Sequence, residues 1–505
     1  MQPAGLLTDC PTDTPADAEP TETEMIEKRA FYIDGKWVAP ATPRDLDVID
    51  PSTEEVCAVI SLGDRADTEA AVAAAKRAFA TWSLTDPAER LRYVEKILGI
   101  YERRAEDMAR AISLEMGAPI DLSRQSQVTS GTWHISNFIT AFKDFEFVRP
   151  LGAHAPNDRI AMEPIGVVGL ITPWNWPMNQ VTLKAIPAML AGCTMVLKPS
   201  EIAPLSSIVF AEIVDEAGVP AGVFNMLNGD GAGVGTQLST HPDVEMISFT
   251  GSTRAGIAIS KAAADSLKRV CLELGGKGAN LIFADADENA VKRGVQHCFN
   301  NSGQSCNAPT RMLVERPVYH RAVEIARQVA EATKVGSAHE AGRHIGPVVS
   351  AGQYEKIQAL IQKGIEEGAR LVAGGLGRPA DLNRGYFVRP TVFADVNNQM
   401  TIAREEVFGP VLSIMPFDTE EEAVEIANDT PYGLTNYVQS QDGARRNRLA
   451  RRLRSGMVEM NGQPRGAGSP FGGVKASGRA REGGHWGLEE FLEVKAISGW
   501  ASDAG

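Results

Sequence analysis

A chain of 505 residues, 43% hydrophobic and 23% charged, has the composition of a soluble globular protein and is too long for a single hydrophobic core, so two or three domains are expected. A formal net charge of −14 argues against general binding to nucleic acid or an anionic membrane, since both need clustered basic surface. Six scattered cysteines without a Cys-x-x-Cys pair exclude a disulfide framework and fit a reducing, cytoplasmic setting, and the eight histidines show no ligand spacing, so no metal is expected.

Residues 1–28 are rich in Pro, Thr, Asp and Glu and read as a disordered acidic extension without a secretory signal. The fold is expected to begin at Phe31-Tyr32-Ile33-Asp34-Gly35-Lys36-Trp37, where Asp-Gly between alternating apolar residues signals a hairpin. Ala66 to Trp82 and Ala88 to Met116 read as amphipathic helices. Phe147-Val148 and Ile160-Ala161-Met162 read as strands. From Gly166 onward, short apolar runs alternate with helical stretches: Val167–Ile171, Thr194–Leu197, Phe224–Leu227, Met246–Phe249 and Asn280–Phe283. Such runs belong to a parallel sheet covered on both faces. Ala185 to Leu197, broken by Pro187 and Gly192, is too short to span a bilayer. A second series, Met312–Val314, Val411–Met415 and Val458–Asn461, predicts a second α/β domain. The arginines between Arg445 and Arg454 read as a solvated helix face with salt bridges.

Several strings carry chemistry. Thr172-Pro173-Trp174-Asn175-Trp176-Pro177 is a rigid turn after a core strand, and its central amide is a donor of the type an oxyanion hole needs; an aromatic core corner is the other reading. Lys198 and Glu201 close a buried strand, either facing a ligand crevice or forming a surface pair. Gly229 to Gly235 follows a strand and opens a helix, as phosphate binding or a plain glycine turn would require. In Phe249-Thr250-Gly251-Ser252, Gly251 permits close backbone approach and Ser252 can cap a helix and donate to a pyrophosphate. Glu273 lies beside Gly275-Gly276, free to swing. Cys306 sits in the polar loop Asn300-Asn301-Ser302-Gly303-Gln304-Ser305-Cys306-Asn307, badly placed for packing and well placed as a nucleophile.

Pro173–Pro177, Lys198–Glu201, Phe249–Ser252, Leu272–Lys277, Gly303–Cys306, Glu406-Val407-Phe408-Gly409-Pro410 and Pro470-Phe471-Gly472-Gly473-Val474-Lys475 resemble, in order, the motif series of the aldehyde dehydrogenase superfamily. The resemblance runs from about Phe31 to Trp500. It implies a Rossmann-like NAD-binding domain over 29–280, interrupted by oligomerisation strands at 145–164. A catalytic α/β domain over 281–475 and a C-terminal oligomerisation segment over 476–505 complete that division.

The same resemblance assigns roles. Cys306 matches the catalytic thiol, Glu273 the general base, and Asn175 the side-chain donor to the oxyanion, shared with the Cys306 N–H. Lys198, counted with these catalytic positions, and Glu201 match contacts to the adenosine ribose. Gly231 and Ser252 match the adenine and pyrophosphate region, and Glu406 and Phe408 match the nicotinamide contacts. Gln353 and Lys356 match more loosely. Ile171, Trp174, Ser200, Gly235, Phe249, Gly251 and Leu274 complete the cofactor-binding set.

Aldehyde oxidation to the acid is the reaction implied, through a thiohemiacetal and a thioester hydrolysed by water. Transfer to coenzyme A is an alternative that Glu273 disfavours, and a non-catalytic binding protein on the same fold is a second one. Glu201 favours NAD by repelling a 2′-phosphate, although NADP use stays open. The substrate pocket is expected to be lined by Trp176, Gln180, Leu183, Ser305, Asn307 and the segment Gly462 to Ser469. Within that segment Arg465 is either a carboxylate anchor or a loop arginine facing solvent. The stretch Gly484 to Ile497 resembles the family's terminal strand, which pairs with a neighbouring subunit, so a homodimer or homotetramer is expected.

Overall fold

Asp34 and Gly35 take φ values of 53° and 71°, the left-handed pair that a two-residue hairpin turn demands. That turn joins Phe31–Ile33 to Lys36–Val38 in antiparallel register, with Tyr32 opposite Trp37, as the Asp-Gly signal predicts. The computed structural model describes residues 25–501.

Two seven-stranded sheets dominate. In the first the order is Arg269–Glu273, Met246–Thr250, Val167–Ile171, Thr194–Lys198, Phe224–Met226, Phe31–Ile33, Lys36–Val38. Its first five strands are parallel. Val167–Ile171, Thr194–Lys198 and Met246–Thr250 are buried throughout, because helices cover both faces. The chain moves outward from Val167–Ile171 to Thr194–Lys198 and Phe224–Met226, then returns to the other side of Val167–Ile171 with Met246–Thr250. This reversal opens a crevice at the carboxyl ends of the strands.

The second sheet runs Arg370–Ala373, Thr391–Ala394, Val411–Phe417, Arg311–Glu315, Ala279–Ile282, Thr435–Gln439, Met457–Met460, parallel except at its first pair. Two three-stranded sheets flank the large ones. Two large, mainly parallel sheets with smaller flanking sheets agree with the α/β architecture expected from the motif series. The arginine-rich helix Gly443–Arg452 behaves as read: Asp442 caps it, and Arg448 pairs with Glu420 at 2.7 Å and Arg445 with Asp285 at 3.1 Å.

Three expectations change. Ala88 to Met116 is two helices, Pro87–Arg103 and Ala105–Met116, broken at Arg104 (φ −98°, ψ 17°). The Arg104 guanidinium pairs with Glu212 at 2.8 Å, and the second helix turns to pack on Leu205–Glu216. Asn280–Phe283 does not continue the first series: its strand, Ala279–Ile282, lies inside the second sheet, and the unanticipated Arg269–Glu273 takes the first sheet's edge. The C-terminal strand Leu492–Ser498 pairs antiparallel with Ala155–Pro164 of the same chain, Leu492 opposite Pro164, so the two segments expected to serve oligomerisation share one sheet. Lastly, Ile26–Lys28, inside the expected extension, pairs in parallel with Glu55–Ser61; residues 1–24 lie outside the described residues.

Candidate active site

Four strands of the first sheet end at one edge, in Ile171, Lys198, Thr250 and Glu273, and their following turns carry the motif residues. From Glu273 the chain crosses to the second sheet through Leu274-Gly275-Gly276-Lys277-Gly278. Glycine is required in this crossing. A Cβ on Gly276 would lie 2.3 Å from the Cys306 carbonyl oxygen, and one on Gly275 would lie 2.4 Å from Glu406 Oε2. The missing side chains let the crossing lie against the Cys306 loop.

That loop is strained and pinned. Asn301, Ser302 and Gly303 take φ values of 53°, 56° and 73°, three left-handed residues in succession. Ser302 Oγ donates to the Gly346 carbonyl at 2.8 Å, and Val349 N donates to Gln304 Oε1 at 2.9 Å. Gln127 and Asn301 donate through their side-chain amides to the Asn175 carbonyl at 3.1 and 2.9 Å. Asn175 Nδ2 in turn donates to the Gln304 carbonyl at 3.0 Å, so the Trp-Asn-Trp turn and the Cys306 loop brace each other. Trp176 Nε1 adds a bond to Ser305 Oγ at 2.8 Å.

Cys306 is half-buried, and desolvation followed by the negative charges of Glu406, Glu273 and Glu482 pushes its thiol up to about 12, with Arg465 acting the other way. Glu273 is buried, and neither carboxylate oxygen has a hydrogen-bond partner. Burial above all, then the charge of Glu482, holds it well above the usual carboxylate range. Its Oε1 faces Gly472, where an added Cβ would come within 2.7 Å.

A cavity of about 200 Å³ gathers Trp174, Asn175, Gly251, Ser252, Leu274, Cys306, Gln353, Lys356, Glu406 and Phe408, ten of the residues read from the sequence. Ser252 caps the helix Thr253–Ala264, accepting from Ala255 N at 3.3 Å. Phe408 has a left-handed φ of 56° and meets Trp174 edge-on at 5.3 Å. Gln353 Nε2 donates to the Val407 and Phe408 carbonyls at 3.1 and 2.8 Å, so it anchors this wall of the cavity. Glu406 Oε1 accepts from Gly276 N at 2.7 Å.

The remaining cofactor candidates lie next to the crevice. Lys198 is buried, and its Nζ donates to the Pro199 carbonyl at 2.9 Å and to Glu201 Oε2 at 3.1 Å. Burial lowers its pKa. A Cβ added to Gly235, in the Gly231–Gly235 turn, would lie 4.0 Å from the Lys198 side chain. Ser200 is buried beside them, and Ile171 and Phe249 belong to the core behind the crevice.

On the substrate side, Leu183 and Arg465 line a small cavity with His134, Phe471 and Glu482. Arg465 does not face solvent freely: its Nε lies 3.3 Å from Glu459 Oε1 and its guanidinium 4.7 Å from the Phe471 ring centroid. Gln180 is buried in the helix Pro177–Ala191 with its Oε1 unpartnered. The Asn307 carbonyl accepts from Tyr437 Oη at 2.6 Å.

Sequence reasoning missed Lys184, which is fully buried, bonds Thr250 Oγ1 at 2.7 Å and pairs with Glu482. A lysine in an otherwise apolar helical run was the available signal, but its partner lies far along the chain. Gln127, a brace of the loop, was also missed, and nothing local marks it; Gln304 lies in the Gly303–Cys306 motif, but its bracing role does not show in the sequence.

The aldehyde dehydrogenase family profile matches residues 37–497. A 3-succinoylsemialdehyde-pyridine dehydrogenase from Pseudomonas sp is 50% identical over 478 residues, spanning 94% of this chain and 99% of the relative. The crystal structure of an aldehyde dehydrogenase from Bartonella henselae superposes with a TM-score of 0.94 at 66% identity, covering 94% of this chain and 100% of that one. A mutant of Aldehyde Dehydrogenase C from Pseudomonas syringae, in complex with NAD+ and octanal, gives a TM-score of 0.92 at 47% identity over 94% of this chain and 97% of its own.

Proposed function

The chain belongs to the aldehyde dehydrogenase family, and we propose that it oxidises an aldehyde to the carboxylic acid with NAD as hydride acceptor, through an acyl thioester on Cys306. One observation carries this reading: the Cys306 thiol shares a cavity with the Asn175 amide and with the residues suited to a dinucleotide. The crevice fits that cofactor on its own chemistry. A capped helix N-terminus and Ser252 suit a pyrophosphate, while Lys198 with Glu201, and Glu406, suit ribose hydroxyls. Bound there, NAD supplies the acceptor for the hydride lost when the thiohemiacetal becomes a thioester.

The protein's own groups perform the rest. The Cys306 thiolate adds to the carbonyl carbon, forming the S–C bond, and the oxygen takes the negative charge. Asn175 Nδ2, already aimed at this loop, donates to that oxygen together with the Cys306 backbone N–H. The alkoxide collapses, releasing the hydride and leaving the thioester. Glu273 then rotates toward the thioester, a motion that breaks no hydrogen bond of its carboxylate. As a carboxylate it takes a proton from water, whose oxygen attacks the acyl carbon and expels the Cys306 thiolate. The sum is aldehyde, NAD⁺ and water giving carboxylate, NADH and two protons. Glu482, paired with the buried Lys184, lines a small cavity with Glu273, Arg481 and Glu490, polar groups whose carboxylates are suited to take up the released proton.

Steady-state NADH formation by the purified chain, with Cys306→Ala beside it, tests the reading. It predicts turnover of at least one aldehyde in a panel of aliphatic, aromatic and ω-carboxylated compounds, and none in the variant. Unchanged turnover in Cys306→Ala would contradict it.

A further inference from the structure

Glu459 lies on the strand Met457–Met460 with Tyr437 as its register partner, and the Tyr437 hydroxyl reaches the carbonyl of Asn307, the residue after the nucleophile. The carboxylate of Glu459 is thus fixed one strand from the reacting centre. It is 16% exposed, and it holds Arg465 Nε at 3.3 Å. The guanidinium lies over the Phe471 ring, 4.7 Å from its centroid, in the cavity it shares with Leu183, His134 and Glu482. Its positive charge is felt at the Cys306 thiol, where it opposes the surrounding carboxylates.

A lone guanidinium at this place would be a hook for an anionic substrate, because its planar donors match a carboxylate. Here its Nε is engaged and one of its faces is covered by an aromatic ring. A carboxylate brought to the remaining donors would approach Glu459, and like charges disfavour each other in a partly buried site. Phe471, Leu183, Trp133 and Phe138 supply the apolar part of the cavity that Arg465 lines, and His134, Asn137 and Glu482 its polar part.

We infer that the Glu459–Arg465 pair, laid on Phe471, neutralises the distal end of the substrate pocket and selects aldehydes with an uncharged far end over ω-carboxylated semialdehydes. This deepens the proposed dehydrogenase reading and rests on it. Glu459 is a specificity determinant acting through Arg465, with no contact to the reacting atoms required of it.

The test measures kcat/KM with NAD for hexanal, benzaldehyde and succinic semialdehyde, in the wild-type chain, Glu459→Gln and the double variant Glu459→Gln/Arg465→Gln. Wild type is expected to favour the neutral aldehydes by about tenfold or more. Glu459→Gln should free the guanidinium and raise the succinic semialdehyde to hexanal ratio about tenfold, chiefly through KM, and the double variant should lose that gain. A wild-type preference for the semialdehyde overturns the inference, and that result needs no variant to fold. So does a Glu459→Gln protein that turns over hexanal with an unaltered ratio. Absence of turnover with every aldehyde would instead strike the dehydrogenase reading itself.

Discussion

The side-chain amide of Asn175 donates to the backbone carbonyl of Gln304 at 3.0 Å, across 129 residues of sequence. One amide therefore braces the Cys306 loop, and in the proposed mechanism the same amide donates to the charged substrate oxygen. Removing it should do two separable things. Asn175→Ala is expected to lower kcat about 100-fold or more, the usual effect of losing one oxyanion donor. It should also lower thermal stability, since the buried Gln304 carbonyl loses a partner. Steady-state kinetics and a melting curve on one preparation read both; a change in the melting temperature alone would remove Asn175 from the chemistry.

The thiol of Cys306 gives a pH prediction whose sign is fixed by its surroundings. Burial and three carboxylates favour the neutral thiol and place it at about 12, so the thiolate fraction rises with pH throughout the neutral and mildly alkaline range. Alkylation of Cys306 by iodoacetamide in the cofactor-free protein should accelerate close to tenfold per pH unit between about 7 and 9. A rate that levels off near neutrality would show that the thiolate is already formed. Peptide mapping would assign the modified residue.

Glu201 pairs with Lys198 at 3.1 Å and stays partly open to solvent. Its carboxylate would repel a 2′-phosphate at this strand end. Glu201→Gln is expected to raise the NADP to NAD ratio of kcat/KM by roughly tenfold, with most of the change in the cofactor KM. An unaltered ratio would place cofactor choice elsewhere.

Gly303 has a φ of +73°, and a Cβ there would lie 2.1 Å from the Gly409 carbonyl oxygen. Both the conformation and the space exclude a side chain. Gly303→Ala should destabilise the protein by about 3 kcal/mol through strain and forced displacement of the Gly409 backbone. Gly352→Ala, where an added Cβ meets nothing, serves as the control and should melt near wild type. Equal melting temperatures would refute the packing argument.

What the sequence disclosed was mostly local. Asp34-Gly35 announces its turn because the required φ values belong to those two residues. The all-buried strands announce themselves by unbroken apolar runs, and the motif residues that line the Cys306 cavity lie at the ends of these elements. The features that stayed hidden are long-range. Lys184 and Glu482 meet across 298 residues, and neither segment betrays the other. Arg269–Glu273 is a half-exposed edge strand with no continuous apolar run to mark it. Ala279–Ile282 resembles the strands of the first sheet in composition, and only the glycine crossing before it sends it to the second. The loop arginine at position 465 could not be paired with Glu459 from spacing, although both lie on one short segment.

Cys306 is expected to carry a covalent acyl group that Glu273 releases. Intact-mass measurement of Glu273→Gln after mixing with NAD and octanal tests it most directly, with NADH followed in parallel. The account predicts one equivalent of NADH per site, then a halt, together with an added octanoyl mass that maps to Cys306. Continued turnover in Glu273→Gln, or a burst of NADH with no adduct on Cys306, would contradict it.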